Sequence, residues 1–282
     1  MKKIFTILTI IFISSIVFAE PLKSPLNILL KTFKNGELVK IPSYNAPLYP
    51  NTFLEIKDES YKNSPIEIDA LITYPKKGKS PFPLVVFTHS SGGPKQFNNQ
   101  WFKFDKQMAK LLLKKGIAVM FLDNYSVRGV KDTHKDQSTV SNFSGYIDAF
   151  MALDYLSSDK KIDIKKVGIT GWSRGGMNST YISEKRMRDI LISKDLYYAA
   201  ALPRSVDCES GGFFFMNPLP VKETKTLMVN GEIDDVTPAA PCIEYGKRLK
   251  ANGANIKVIT KKGWGHGFTA NYEPSYERDS QV

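Results

Sequence analysis

The run Val167-Gly168-Ile169-Thr170-Gly171-Trp172-Ser173-Arg174-Gly175-Gly176 decides how this chain is read. An apolar, β-prone segment stops at a glycine. A serine follows, then two more glycines and a helix-compatible stretch. This is G-x-S-x-G between a predicted strand and a predicted helix, the sharp turn that lifts a serine oxygen clear of a sheet edge. Such a turn holds the serine in a strained backbone conformation. It leaves no room for side chains at Gly171 and Gly175, and glycine has none. The helix starting near Ser173 aims its free N–H groups and positive dipole end at the site where negative charge would develop. Alone, the five-residue match also fits a glycine-rich turn that merely joins a strand to a helix, so the partners matter.

Around this stretch the chain alternates strands and helices. Thr52-Phe53-Leu54-Glu55-Ile56 and Ile66 to Ile72 alternate apolar and polar, as half-buried antiparallel strands do. Pro83 to Thr88 is a continuous apolar run, expected for a strand buried on both faces, and it ends in His89-Ser90-Ser91-Gly92-Gly93. Trp101, Phe104, Met108, Leu111 and Leu112 recur at helical spacing up to Gly116. Ile117 to Leu122 is the next strand, and Asp123 to Gly129 follows it. A polar loop from Val130 to Asn142 is read as a lid or a mobile segment. Tyr146, Phe150 and Leu153 mark a helix. The helix after Ser173 is expected to run to about Arg188. Strands are expected at Tyr197 to Leu202, Lys225 to Asn230 and Ile256 to Thr260, with a helix through Cys242, Tyr245 and Leu249. This alternation predicts an α/β fold with a parallel sheet wound on both sides.

Length and composition agree: 282 residues, 42% hydrophobic and 24% charged, are enough for one large α/β domain with a sizeable core. Lys2-Lys3, an apolar run from Ile4 to Phe18 and a small residue at Ala19 read as a secretory signal peptide over residues 1–19. The run is short of the roughly 20 residues a spanning helix needs, so no stable membrane anchor is expected. Residues 20–50 are proline-rich and read as an extended N-terminal arm, leaving 51–282 as a single domain. Export to an oxidising compartment, periplasmic or secreted, would pair the two cysteines, Cys208 and Cys242, as a disulfide. The formal charge of +11, less Lys2 and Lys3, is +9. The excess lies in scattered pairs such as Lys76-Lys77 and Lys160-Lys161, read as solvated, with a weak attraction to anionic surfaces or substrates. No basic stripe is interleaved with aromatics, so no nucleic-acid partner is expected.

An activated serine needs a base for its proton and a carboxylate to orient that base. On the fold that carries this turn, the order along the chain is serine, acid, histidine. Of the three histidines only His266 follows Ser173, flanked by Gly265 and Gly267 just after the last strand. Asp234 and Asp235 both lie after the preceding strand. Asp234 fits the spacing from Gly231 to Pro238 better, which leaves Asp235 as a turn or capping residue. The oxyanion would take the backbone N–H of Arg174 and a second donor from the loop after Thr88, Ser91 first and Ser90 next. His89 is read as tying that loop down. No metal or organic cofactor is implied, since there is no clustered His/Cys/Asp set and no phosphate-binding glycine loop.

Together, Pro83–Gly93, Asp123–Gly129, Gly171–Gly176, Gly231–Pro238 and Gly265–Phe268 resemble the dienelactone hydrolase family of α/β-hydrolases, over about residues 50–270. The resemblance implies an α/β-hydrolase fold with an eight-stranded, mostly parallel sheet. It also implies hydrolysis of a small-molecule ester or lactone through an acyl-enzyme. The founding enzymes use cysteine at the elbow, and this chain has Ser173. Their lactone specificity rests on arginines that bind the substrate carboxylate, a role open to Arg128 and Arg204. The aromatics of Gly211-Gly212-Phe213-Phe214-Phe215 are read either as acyl-pocket lining or as core. Two other readings stand beside this one: a peptidase resembling the prolyl oligopeptidase family, and a non-catalytic binding protein built on the same fold.

Overall fold

The computed structural model describes residues 20–46, 52–98, 103–209 and 212–267. The expected signal segment, Trp101 and the tail from Phe268 lie outside them. Eight strands form one sheet: β1 (Gly36–Tyr44), β2 (Pro65–Thr73), β3 (Phe82–Thr88), β4 (Ala118–Asp123), β5 (Ile162–Trp172), β6 (Ala200–Arg204), β7 (Lys225–Gly231) and β8 (Asn255–Lys261). Their spatial order is β1-β2-β4-β3-β5-β6-β7-β8. β2 runs antiparallel to both neighbours, and the rest of the sheet is parallel.

The apolar runs follow from this arrangement. A parallel strand between two helical layers has no wet face, and every residue of β4 is buried. Seven helices complete the described chain: α1 (Thr52–Lys57), α2 (Lys103–Lys114), α3 (Asn142–Ser157), α4 (Arg174–Tyr181), α5 (Lys185–Leu191), α6 (Gly212–Met216) and α7 (Ala239–Ala251). On one face Ile147, Phe150 and Leu153 of α3 pack with Val86, Val167 and Ile169 of the sheet. On the other, Ala109 of α2 joins Leu26 and Leu29, from a 3-10 turn at Pro25–Lys31, against Phe87, Val119 and Phe121. The chain leaves β3 towards β4 on one side and returns to β5 on the other. The carboxyl ends of β3 and β5 therefore flank the topological switch point, where open α/β sheets form their crevice.

Four sequence expectations need correction. Thr52 to Ile56 is helix α1, not a strand; five residues are too few to separate a period of 2 from 3.6. The strand beside β2 comes instead from the arm: Gly36–Tyr44 pairs with β2 along its whole length. Pro42 does not prevent this because β1 is an edge strand, where one face of the backbone needs no donor. The helix after Ser173 is two helices, with Glu184 capping the second through the Arg186 N–H. The strand expected from Tyr197 starts at Ala200. The Val130–Asn142 segment is anchored at two points: Thr133 and Val140 are buried, and the Thr133 N–H donates to the Ser91 carbonyl at 2.8 Å, while Lys131, Asp132 and residues 134–139 are exposed.

Cys208 and Cys242 are joined, Cα to Cα 5.1 Å, closing a separation of 34 residues. The bond ties the segment after β6 to the first turn of α7. Loop-closure entropy for that length corresponds to about 3–4 kcal/mol of stability. Urea unfolding of the native protein with and without reductant measures it. A lower midpoint on reduction, equivalent to that free energy through the denaturant slope, is expected, and coincident curves would contradict it.

Candidate active site

Ser173 sits between the end of β5 and the first turn of α4, with φ 56° and ψ −122°. A non-glycine residue there is strained and is held only by its surroundings. Two glycines supply them. A Cβ on Gly171 would lie 2.3 Å from the Gly175 carbonyl oxygen, and one on Gly175 would lie 2.3 Å from that of Thr88. The turn is closed against the end of β3, and every residue of α4 is buried. The Ser173 N–H donates to the Arg204 carbonyl at 2.9 Å, which fixes the turn to β6 as well.

His266 stands over this serine. Its Nε2 is 3.1 Å from Ser173 Oγ. Its Nδ1 is 3.1 Å from each carboxylate oxygen of Asp234. With Asp234 ionised, Nδ1 carries the proton and Nε2 accepts from the serine hydroxyl. The loop that carries His266 is held at its carbonyl, which accepts from Trp172 Nε1 at 2.8 Å and from Ser205 Oγ at 3.3 Å. The Trp172 ring lies 5.0 Å from the imidazole.

Asp234 is 4% exposed, whereas Asp235 is exposed in the same turn. The Asp234 carboxylate also receives the N–H groups of Val236 and Thr237, at 3.1 and 2.8 Å, and the Thr237 hydroxyl at 2.9 Å. Thr237 Oγ1 is itself 3.0 Å from His266 Nδ1. Burial alone would raise the Asp234 pKa. The hydrogen bond and charge of His266, with the Thr237 donors, outweigh burial and hold it below the ordinary value.

The loop after β3 lies against the same turn. The Ser90 N–H donates to Gln96 Oε1 at 3.0 Å, so it is not free for an oxyanion, which corrects its candidacy. The Ser91 N–H makes no hydrogen bond among the described residues, and the Arg174 N–H is at the open first turn of α4. His89 ties the loop down as expected: Nδ1 donates to the Ser90 carbonyl at 2.8 Å and Nε2 accepts from the Asn124 N–H at 3.1 Å. Burial keeps that imidazole neutral by lowering its pKa.

Of the two arginines considered for a substrate carboxylate, Arg128 is fully engaged and Arg204 only in part. Arg128 belongs to a buried ion pair with Asp148, 2.8 Å, and also donates to Asn45, Asn124 and Tyr44, which accounts for its whole guanidinium. Its substrate role is corrected to a structural one. Arg204 bonds Asp105 through Nη2 and lies 4.6 Å from the Phe104 ring centre, while Nε and Nη1 are buried without partners among the described residues. Phe214 and Phe215 are core: they pack on Tyr181 and Tyr245. Gly211 and the Phe213 side chain lie outside the described residues.

Sequence reasoning missed Thr237, Trp172, Ser205 and Gln137. Gln137 Oε1 accepts from Ser91 Oγ, Thr133 Oγ1 and Arg174 Nη1, at 3.0, 3.2 and 3.0 Å, and so braces the loop after β3 against α4. A lone glutamine in a polar loop gives no pattern to find. Thr237 was legible in principle, since Asp followed three residues later by Thr is a common turn-closing pair.

A model of the Dienelactone hydrolase family matches residues 68–282. A curated Bacillus subtilis (strain 168) protein described as "Uncharacterized peptidase YuxL" is 24% identical over 229 residues, covering 70% of this chain. The chain spans 33% of that protein's length. Among solved structures, Thermogutta terrifontis esterase 2 phosphoramylated by tabun superposes with a TM-score of 0.57 at 16% identity, covering 86% of this chain and 89% of that one. A putative dienelactone hydrolase from Klebsiella pneumoniae subsp. pneumoniae gives 0.56 at 16% identity, with 86% and 92% covered. At these identities the solved structures show the fold alone: an α/β-hydrolase sheet.

The depressed pKa of Asp234 has a pH signature. Its contribution to stability is present above the unfolded carboxylate value, about 3.9, and is lost as pH falls through the lower folded one. The stability difference between wild type and Asp234→Asn is therefore expected to be largest near neutrality and to shrink below about pH 3.9. Chemical denaturation across pH checks this, and a difference that grows on acidification would contradict it.

Proposed function

The chain belongs to the dienelactone hydrolase family, and we propose that it hydrolyses a small-molecule carboxylic ester or lactone through an acyl-enzyme on Ser173. The observation that carries this reading is the 3.1 Å approach of His266 Nε2 to Ser173 Oγ, with Asp234 on the other ring nitrogen. His266 takes the hydroxyl proton as Ser173 attacks the carbonyl carbon. The tetrahedral oxyanion is met by the N–H groups of Arg174 and Ser91. Collapse expels the alkoxide, to which His266 returns the proton; in a lactone that alkoxide stays tethered to the acyl group. Water, deprotonated by His266, then releases the acid. Asp234 and Thr237 keep the imidazole in the tautomer that can accept.

Arg204, whose Nε and Nη1 have no partner among the described residues, is our candidate for an acidic group on the substrate. Export to an oxidising compartment is part of the same proposal. The Cys208–Cys242 bond supports it, since such bonds persist outside the reducing cytosol. A second reading, amide rather than ester cleavage, draws on the relative described as a peptidase.

A fluorophosphonate probe separates these outcomes when paired with a p-nitrophenyl ester chain-length series and a matching p-nitroanilide. Wild type should label and turn over esters faster than the anilide. Ser173→Ala should neither label nor turn over, and His266→Ala should lose about four to six orders of magnitude in kcat. Labelling that survives in Ser173→Ala would overturn the assignment. Preferred anilide turnover would favour the peptidase reading.

A further inference from the structure

At the edge of the sheet opposite Ser173 the protein has a concavity of about 480 Å³. The strand register places it. Thr73, at its wall, pairs with Val119 at the start of β4, and α2 ends there before the chain enters β4. The carboxyl ends of the parallel strands, where the catalytic candidates gather, are at the other edge.

Five lysines line this cleft: Lys34, Lys76, Lys77, Lys110 and Lys114. They come from three separate segments: the turn before β1, the loop after β2, and α2. No carboxylate is among the lining residues, and none of these lysines makes an ion pair among the described residues. A sixth cation stands close by, since Lys161 lies 4.5 Å from the centre of the Tyr74 ring in the same wall. The neighbouring carboxylate of Asp159 accepts the Tyr74 hydroxyl at 2.5 Å. Lys114 also sits in the last turn of α2, whose carbonyl end favours cations. Lys34, Lys76 and Lys77 have no such explanation. Like charges converging on one concavity repel unless a counter-charge enters, and the cleft concentrates their potential.

The remaining walls are of a different kind. Phe33 is buried, and Tyr74 and Leu113 are half-buried, so one side is apolar and partly aromatic.

We propose that this cleft binds a small organic anion, phosphate-, sulfate- or carboxylate-bearing, whose aromatic or aliphatic part rests on Phe33, Tyr74 and Leu113. The anionic group is held by Lys34, Lys76 and Lys77. The site is independent of Ser173 and goes beyond the hydrolase reading.

Titration calorimetry of the full chain with naphthalene-1,5-disulfonate tests it, with neutral naphthalene-1-sulfonamide as the control. The disulfonate carries no ester, so hydrolysis does not intrude. One saturable site is expected, weakening severalfold as salt screens the lysines, with no binding of the sulfonamide. Lys34→Gln/Lys76→Gln/Lys77→Gln changes only exposed side chains and should weaken binding at least tenfold. Protein blocked at its reactive serine by a fluorophosphonate should bind as well as untreated protein. Absence of saturable binding, equal affinity in the triple variant, or loss of binding on fluorophosphonate treatment would each overturn the proposal, the last because the anion would then sit at the reactive serine.

Discussion

The contact between Gly175 and the end of β3 sets the geometry on which the rest depends. With a Cβ at Gly175 only 2.3 Å from the Thr88 carbonyl, no other residue lets α4 start so close to the sheet. That closeness forces Ser173 into a positive φ and brings the first N–H of α4 beside the loop after β3. It also lets α4 pack along its whole length, with Met177 and Tyr181 in the main core. The strained turn is thus held by burial elsewhere, and the strain and the helix N-terminus are two results of one constraint.

A second layer of order is polar. The histidine-bearing loop hangs from its carbonyl, through Trp172 and Ser205, so the ring is placed by backbone contacts rather than by its own hydrogen bonds alone. The acid turn closes on itself through Thr237. The loop after β3 is braced by Gln96 beneath and Gln137 at its side. Arg174 lends its side chain to this bracing, bonding the carbonyls of Gln137 and Val140, while its backbone N–H stays at the open end of the helix. The segment from Val130 to Asn142 is therefore pinned to α4 and to the loop after β3 through Thr133, Gln137 and Val140.

The fold was legible where one physical period dominates. Strands β3 and β4 and the second half of β5 are apolar runs bounded by turn residues, and burial on both faces leaves them no other reading. The edge was not legible. β1 is only half-buried and carries Pro42, so its sequence has neither a clean alternation nor a continuous apolar run, and Thr52–Ile56 imitates a strand better than Gly36–Tyr44 does. At the site, the positions with a chemical or backbone requirement stood out: the glycines around Ser173, the lone histidine after it, the aspartate at the turn. Residues that act by bracing did not, because a glutamine or threonine in a loop takes its role from what lies across the chain. The same limit explains Arg128 and Ser90. Sequence marks Arg128 as a cation near the sheet edge and Ser90 as a loop amide, but not that Asp148 and Gln96 occupy them.

The central claim is that Ser173 carries the acyl group, and rapid-quench mass spectrometry of the native protein mixed with a slowly deacylated ester tests it most directly. The account predicts a transient adduct with the mass of the acyl group, on the peptide containing Ser173, formed and lost at rates that reproduce steady-state turnover. Ester hydrolysis with no such adduct, or an adduct on another residue, would contradict it.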